Sequence, residues 1–345
     1  MERFDKIVWV DFAKGYAIFT IVCYHLLQRM ALPDIFAQAI VFGGTGVHLF
    51  FMLSGFGLGL SRQPMSAAAF YKRRFLKVWL PYVFALTLSC AAAYAWGLFP
   101  NGWREWLAGV ALYQMFYESC IQSFGGHFWF ISTIMQFYLV FPLLLWIQNR
   151  CPRPMWFAGG ALLVSVVWWC TVWFLGKTEW RVWNSFFLQF LWEFVFGMVV
   201  ARWSRAAHKE ESVRRLFQLL SIRQPFFWLG TGLFFSALMA AMIIKFGTIG
   251  KIFNDIPALI GYTALCIGVY RVGQQWMPPL TKFFLWVGSF SYSLYLVHVL
   301  VLEGFLLVLT GDIHHTLSWA MAMAFLPVAL AAGRLFESIQ KKIIG

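Results

Sequence analysis

Apolar segments about 20 residues long follow one another along nearly the whole chain, and this recurrence constrains the fold more than any other feature. At about 1.5 Å per residue, each segment matches the roughly 30 Å hydrocarbon core of a bilayer. The chain is 61% hydrophobic and only 12% charged, which is more apolar surface than a water-soluble domain can bury. We therefore expect an all-α integral membrane protein with a single transmembrane domain over residues 1–345 and no separate soluble domain.

The charged residues between these segments predict how many spans there are and which way each one runs. An eleventh segment, 106–122, contains Gln114 and Glu118. If it crossed the membrane, the basic loop between residues 202 and 223 would lie outside, against the positive-inside rule. We expect this segment to be an interfacial or re-entrant helix, with both termini cytoplasmic and the chain in the cytoplasmic (inner) membrane. The ten predicted spans lie near residues 7–29, 39–60, 75–97, 128–148, 155–176, 183–203, 225–245, 254–272, 283–309 and 317–337.

The net charge of +13 does not indicate a nucleic-acid partner. Lys and Arg occur in short clusters between apolar segments and form no continuous basic stripe with interleaved aromatics. The six cysteines show no metal-ligand spacing, so neither a disulfide framework nor a zinc site is expected. The first segment carries Asp11, Lys14 and His25 and lacks the cleavage site of a secretory signal, so we interpret it as a retained span.

The basic segment from Phe70 to Trp79 mixes cations with aromatic residues just before the third span. One interpretation is an interfacial segment that binds lipid headgroups. The other is a cytoplasmic entrance at which Arg73, Arg74 and Lys77 attract an anionic, phosphate-bearing substrate. The sequence does not separate the two interpretations, and both can hold.

The first span carries the richest set of ionisable residues. Asp11, Lys14 and His25 are spaced by three and eleven residues, which places them within a helical stripe about 60° wide. Asp11 and Lys14 can neutralise one another, whereas His25 lies about 16 Å further along the axis, towards the outer half of the membrane. This face is expected to meet protein or water, because an ionisable group facing lipid is costly.

Other polar residues are also predicted at membrane depth. His48 and His298 are either hydrogen-bonded packing residues or functional bases, since histidine titrates near neutral pH. Glu193 is either a counter-ion to a base on a neighbouring helix or a structural partner of an arginine. His127 and Gln136 mark the outer end of the fourth span and suit the rim of a site.

Four motifs follow one another along the chain: DFAKGYAIFTIVCYH from Asp11, GVHLFFMLSGF from Gly46 followed by FYKRRFLKVWLPY, FWFISTIMQFYLVFPLL from Phe128, and GSFSYSLYLVH ending at His298. In this order they resemble the acyltransferase-3 family of integral membrane proteins. The sequence departs from the family at Lys14, where arginine is usual, and at Ile134 and Met135, where many members have two glutamates. Its basic pair is Arg74 and Lys77, where two arginines are common.

The resemblance implies transfer of an acyl group, usually acetyl, from cytoplasmic acyl-CoA to a hydroxyl of a surface or lipid-linked glycan. No tightly bound cofactor and no metal are expected, and His25 would serve as general base or as transient acyl carrier. The rival hypothesis is a proton-coupled transporter or flippase of a lipid-linked sugar or anion. The expected catalytic group is His25, Lys14, Asp11 and His298. The residues expected to contact substrate are Arg73, Arg74, Lys77, His48, Glu193, His127 and Gln136.

Overall fold

The computed structural model describes residues 8–33, 40, 44–61, 66–99, 102–206 and 224–344. Every regular element in these residues is helical and none is a strand, which confirms the all-α prediction. The helices are α1 (Val8–Leu27), α2 (Gly46–Leu60), α3 (Ala67–Arg74), α4 (Leu80–Trp96), α5 (Trp103–Val110), α6 (Glu118–Ile121), α7 (Trp129–Arg150), α8 (Pro154–Phe174), α9 (Arg181–Asn184), α10 (Leu191–Ala206), α11 (Pro225–Phe253), α12 (Asp255–Gln275), α13 (Pro278–Gly288), α14 (Ser291–Thr310) and α15 (Trp319–Ile344).

Eight helical stretches in the described residues are long and apolar enough to cross a bilayer, which confirms a multi-pass membrane protein. Two further predicted spans correspond to shorter helices: α2 has 15 residues and α10 has 16. At 1.5 Å per residue both fall short of the hydrocarbon core. The count of ten spans therefore remains a prediction.

Several predicted spans have different boundaries in the structure, including the sixth, whose helix begins only at Leu191, and the tenth, whose helix runs on to Ile344. The third begins earlier, because Ala67–Arg74 continues through a π-helical turn at Phe75–Trp79 into α4. The seventh extends to Phe253, with a break at Gly247, whose φ of 57° is readily adopted only by glycine. The ninth, predicted over 283–309, is interrupted after Gly288 and resumes at Ser291.

The segment 106–122 forms no helix long enough to cross the membrane. It is broken at Leu112, which has a left-handed φ of 58°, and α5 has only eight residues. Gln114 is fully buried, and its Nε2 donates to the hydroxyls of Tyr82 at 3.1 Å and Ser132 at 3.3 Å. Protein therefore covers the Gln114 side chain, as a polar group at membrane depth requires, whereas Glu118 is only half-buried.

Some sequence predictions lie outside the described residues. They concern the first residue of the first span, the start of the second span, and part of the basic loop after α10. The basic residues of that loop that the topology prediction uses and that the structure does not describe are Lys209, Arg214, Arg215 and Arg223.

The chain divides into two compact units. Unit 1 comprises residues 1–44, 68–135 and 283–345, and unit 2 comprises residues 45–67 and 136–282. In unit 1, α1 packs closely against residues 283–288 of α13, because a Cβ on Gly15 would overlap the Phe284 carbonyl and one on Gly288 the Asp11 carbonyl. Helix α14 packs against α1, α4 and α15.

Unit 2 is held together by close helix packing around α2. A Cβ on Gly55 would overlap the Phe194 carbonyl, and one on Gly197 would overlap the Met52 carbonyl, so the α2 and α10 backbones almost touch. Gly57 on the same helix, by contrast, faces open space. Helix α11 packs along α12.

Candidate active site

Unit 1 brings His25 of α1 and His298 of α14 together. His25 Nδ1 lies 3.1 Å from His298 Nε2, and the ring centroids are 5.0 Å apart. His25 is partly exposed, whereas His298 is 1% exposed. The two histidines are 273 residues apart in sequence, so only the packing of α14 on α1 creates the pair.

The hydrogen bonds of this pair determine where the lone pair of His25 lies. His298 Nδ1 is 2.7 Å from the Tyr295 carbonyl, which only accepts, so Nδ1 carries the proton and Nε2 of the neutral ring accepts. His25 Nδ1 faces that acceptor and also the Ile21 carbonyl at 3.1 Å, so it carries a proton as well. The lone pair of neutral His25 is therefore on Nε2, as a general base or nucleophile requires.

His127 is the third histidine of this cluster. Its ring centroid lies 4.9 Å from that of His298 and 6.4 Å from that of His25. His127 is 5% exposed, and neither ring nitrogen makes a hydrogen bond of regular geometry with the described residues, although the Leu296 backbone is within reach of the ring. The Tyr295 hydroxyl donates to the His127 backbone carbonyl and anchors the residue to α14. A buried imidazole without a well-formed hydrogen bond suits a ligand that supplies one.

Sequence reasoning missed an ion pair between Arg29 and Glu303. The Arg29 Nη2 contacts Glu303 Oε1, with the Glu303 side chain 7% exposed. Arg29 follows His25 by four residues and Glu303 follows His298 by five, so the pair joins the same two chain segments as the histidines. A glutamate in the middle of an apolar span was a signal that could have revealed this site.

Asp11 and Lys14 form the ion pair expected from their spacing, with Lys14 Nζ 4.0 Å from Asp11 Oδ1. The side chains are 15% and 39% exposed, respectively. Since both lie near the start of α1 and His25 lies near its end, the ion pair and His25 are separated by most of the helix length. Direct participation of Asp11 and Lys14 in chemistry at His25 therefore remains a prediction.

The basic segment is tied to the helix that carries His298. Arg73, near the end of α3, and Lys77, in the π-helical turn, are exposed. The Arg74 guanidinium lies 5.6 Å from the centre of the Phe70 ring. The Tyr292 hydroxyl donates to the Val78 carbonyl at 2.7 Å.

The remaining predicted site residues belong to unit 2. His48 Nδ1 lies 2.6 Å from Glu193 Oε1, so the partner of Glu193 is a base on a neighbouring helix and not an arginine. Gln136 Oε1 accepts from the Phe187 backbone N–H at 3.3 Å, whereas His127, predicted to share a rim with it, belongs to unit 1. Substrate contacts by His48, Glu193 and Gln136 remain predictions.

A partly exposed imidazole held by a buried one, in a multi-pass helical membrane protein, is an arrangement that suits group transfer. The family model described as "Acyltransferase domain" matches residues 7–335, so the chain belongs to the acyltransferase-3 family and is a membrane acyltransferase. It is similar to Acyltransferase MdmB of Streptomyces mycarofaciens, with 25% identity over 357 residues that cover 94% of this chain and 88% of that protein. No solved structure gives a significant match.

Proposed function

We propose that this enzyme transfers an acyl group, by default acetyl, from acyl-CoA to a hydroxyl of a surface or lipid-linked glycan. The contact between His25 Nδ1 and His298 Nε2 carries this proposal, because it leaves the lone pair of neutral His25 on Nε2. Family membership favours acyl transfer over the rival hypothesis of a transporter.

Two reaction sequences fit this geometry. In the first, His25 Nε2 takes the proton of the acceptor hydroxyl, the oxygen attacks the thioester carbonyl, and the C–S bond breaks; the imidazolium then protonates the CoA thiolate. In the second, Nε2 attacks the carbonyl itself and CoA leaves as the thiolate; the acceptor oxygen then attacks the acyl group, the bond from Nε2 to the carbonyl carbon breaks, and the hydroxyl proton passes to the thiolate. In both, His298 Nε2 accepts from His25 Nδ1–H and so stabilises the positive charge that develops on His25.

The donor is proposed to enter at the basic segment. Arg73, Arg74 and Lys77 offer cations to the phosphates of CoA. The bond between Tyr292 and Val78 holds this segment at the start of α14, and His298 lies about 9 Å further along the helix axis. The predicted topology puts the start of α14 at the cytoplasmic side, so the thioester would reach the histidines along this helix.

The experiment that tests the function follows radiolabelled acetyl-CoA into a glycan fraction, using membranes with wild type, His25→Ala or His315→Ala. His315 is exposed and lies outside the cluster, so its variant controls for histidine loss in general. We expect transfer by wild type and His315→Ala and none by His25→Ala. Transfer by correctly inserted His25→Ala would overturn both reaction sequences, whereas no transfer by any protein would speak against acetyl-CoA as donor.

A second measurement separates CoA binding from lipid binding at the basic segment. The double variant Arg73→Gln, Lys77→Gln should raise KM for acyl-CoA by roughly 10-fold, since each substitution removes a cation and its charge-assisted hydrogen bond to a CoA phosphate. Lys342→Gln, which removes an exposed cation elsewhere, should leave KM unchanged. An unchanged KM in the double variant, measured in detergent without anionic lipid, would favour the headgroup interpretation.

A further inference from the structure

Unit 2 contains a second buried cluster of ionisable side chains. His48, Glu193 and Asp255 come from α2, α10 and α12, and one ligand atom from each lies within 4.8 Å of the others. The three residues are 8%, 0% and 2% exposed. Helix packing alone assembles this cluster, because its members are distant in sequence.

Acidic groups outnumber basic ones in this cluster, in the part of the chain that the structure describes. Two carboxyl groups face one imidazole, and no hydrogen bond or ion pair joins the three residues to an arginine or lysine. Glu193 and Asp255 each lie in the first turn of their helix, where the helix dipole favours the ionised carboxylate. Buried carboxyl groups either stay protonated or ionise beside a compensating charge, and a bound cation supplies that charge.

Unused acceptors at the cluster are an independent sign of a ligand. Glu193 Oε2 is buried and has no hydrogen-bond partner among the described residues, and the same holds for Gln189 Oε1. Gln189 Nε2 donates to Asp255 Oδ2 at 2.9 Å and to the Ile252 carbonyl at 2.9 Å. An amide that orients a carboxylate in this way is the usual outer partner of a metal ligand.

We propose that His48, Glu193 and Asp255 bind a divalent transition-metal ion, with Zn²⁺ as the probe. One imidazole nitrogen with carboxylate oxygens suits Zn²⁺, whereas Mg²⁺ and Ca²⁺ favour oxygen ligands only. Ligand bonds of about 2.0–2.1 Å in a tetrahedral site place neighbouring donor atoms roughly 3.3 Å apart. His48 Nδ1 and Glu193 Oε1, now 2.6 Å apart, separate by less than an ångström to admit the ion.

This site departs from the sequence-based expectation of no metal and gives His48 and Glu193 a role other than contacting substrate. It does not depend on the proposed acyl transfer. The predicted topology puts the starts of α2, α10 and α12 on the outer side of the membrane, so the ion would enter from there. The ion would link three helices of unit 2 and so stabilise their packing.

Metal content of purified, tag-free protein in detergent tests this proposal. After equilibration with Zn²⁺ and removal of free ion, wild type should retain about one equivalent per chain. His48→Gln and Asp255→Asn should each lower the affinity by about tenfold or more. His315→Gln is the matched control and should bind like wild type, as should His25→Ala, which removes a histidine of the cluster in unit 1.

Two further measurements keep the result interpretable if a variant fails to fold. Zn²⁺ should raise the Tm of wild type by mass action, and X-ray absorption at the zinc edge should show one imidazole among oxygen ligands. Absence of retained zinc in wild type would overturn the proposal, as would undiminished binding by His48→Gln and Asp255→Asn. A spectrum with several imidazoles, or zinc lost in His25→Ala alone, would also overturn it by placing the ion at the histidines of unit 1.

Discussion

At the scale of single residues, the chemistry of the candidate active site depends on which nitrogen of each histidine carries a proton. The Tyr295 carbonyl determines the tautomer of His298, and His298 in turn determines that of His25. His298 is thus a positioning residue: it acts on the reaction through His25. Loss of His298 is expected to lower kcat, because the hydrogen bond from His25 Nδ1–H to His298 Nε2 strengthens as positive charge develops on His25.

Replacement of His298 tests this role. His298→Leu should lower kcat of acyl transfer by about 10²-fold with little change in KM for acyl-CoA, because it removes the acceptor for His25 Nδ1–H. His298→Gln, whose side-chain oxygen also accepts, should recover part of the loss. Steady-state kinetics should measure kcat and KM for acyl-CoA in both variants. Equal kcat values for His298→Leu and His298→Gln would contradict the hydrogen-bond role.

The ion pair between Arg29 and Glu303 should respond unequally to loss of its two members. Arg29→Ala leaves a carboxylate that is 7% exposed without its partner, and breaking a buried pair in this way costs about 3 kcal/mol. Glu303→Gln leaves only Arg29, which is 32% exposed and can be solvated, so its cost should be smaller. Thermal unfolding in detergent should therefore show a lower Tm for Arg29→Ala than for Glu303→Gln.

The pair of Arg334 and Glu337 is the control for this comparison. It lies three residues apart on α15, with the Arg334 side chain 49% exposed. The Glu337 side chain is 12% exposed and keeps a second partner, Lys341, at 2.8 Å when Arg334 is lost. A pair on a helix surface contributes at most about 0.5 kcal/mol, so Arg334→Ala should hardly change the Tm. Similar shifts for Arg29→Ala and Arg334→Ala would show that burial does not matter at Glu303.

At the scale of secondary-structure elements, the position of His25 depends on how closely α1 approaches α13. Gly15 and Gly288 each leave space for a backbone carbonyl of the other helix, and Phe12 packs edge-on against Phe284 with ring centroids 5.2 Å apart. Any side chain at these glycines must push the helices apart. Such a shift would also move His25 relative to His298.

Gly288→Ala should lower both stability and activity for this reason. Its Cβ would overlap the Asp11 carbonyl, and overpacking of this kind costs about 1–3 kcal/mol. Gly304→Ala on α14, where nothing lies within 4 Å of a new Cβ, should be neutral or slightly stabilising. Tm and transfer activity should be measured for both variants. Wild-type values for Gly288→Ala would show that α1 and α13 do not pack tightly at Gly288 in the membrane.

At the scale of the whole molecule, the number of membrane crossings is the main prediction. With ten spans, the positive-inside rule puts both termini in the cytoplasm and Gly97 and Gly176 outside. If the shorter helices α2 and α10 did not cross, Gly97 and Gly176 would both lie inside, whereas Gly311 would lie outside in either case. The two topologies therefore differ at defined positions.

Reporter fusions at these positions should distinguish the two topologies. A periplasmic phosphatase fused after Gly97, Gly176 or Gly311 should be active, whereas the same reporter after Cys151 should be inactive. The Gly311 fusion is the control, since both topologies predict activity there. Inactive fusions at Gly97 and Gly176 with an active one at Gly311 would reduce the count to eight.

The sequence by itself determined the class of fold and the main candidates for the site. Residues facing lipid must be apolar over a length set by the bilayer, so composition and segment length define a helical membrane protein. An ionisable residue inside such a segment is expensive, which is why His25, His298, His48 and Glu193 could be singled out. The spacing of Asp11 and Lys14 predicted their ion pair, because neighbours on a helix follow from its periodicity.

Only the tertiary structure decided which of these residues meet. The pairs His25–His298 and His48–Glu193 join helices that are distant in sequence, and no periodicity within one helix encodes its neighbour. Arg29 and Asp255 gained their importance in the same way: each lies at the end of an apolar segment, where charge is ordinary. Contacts between helices depend on how side chains interlock across their surfaces, and for that reason they emerge only from the packed molecule.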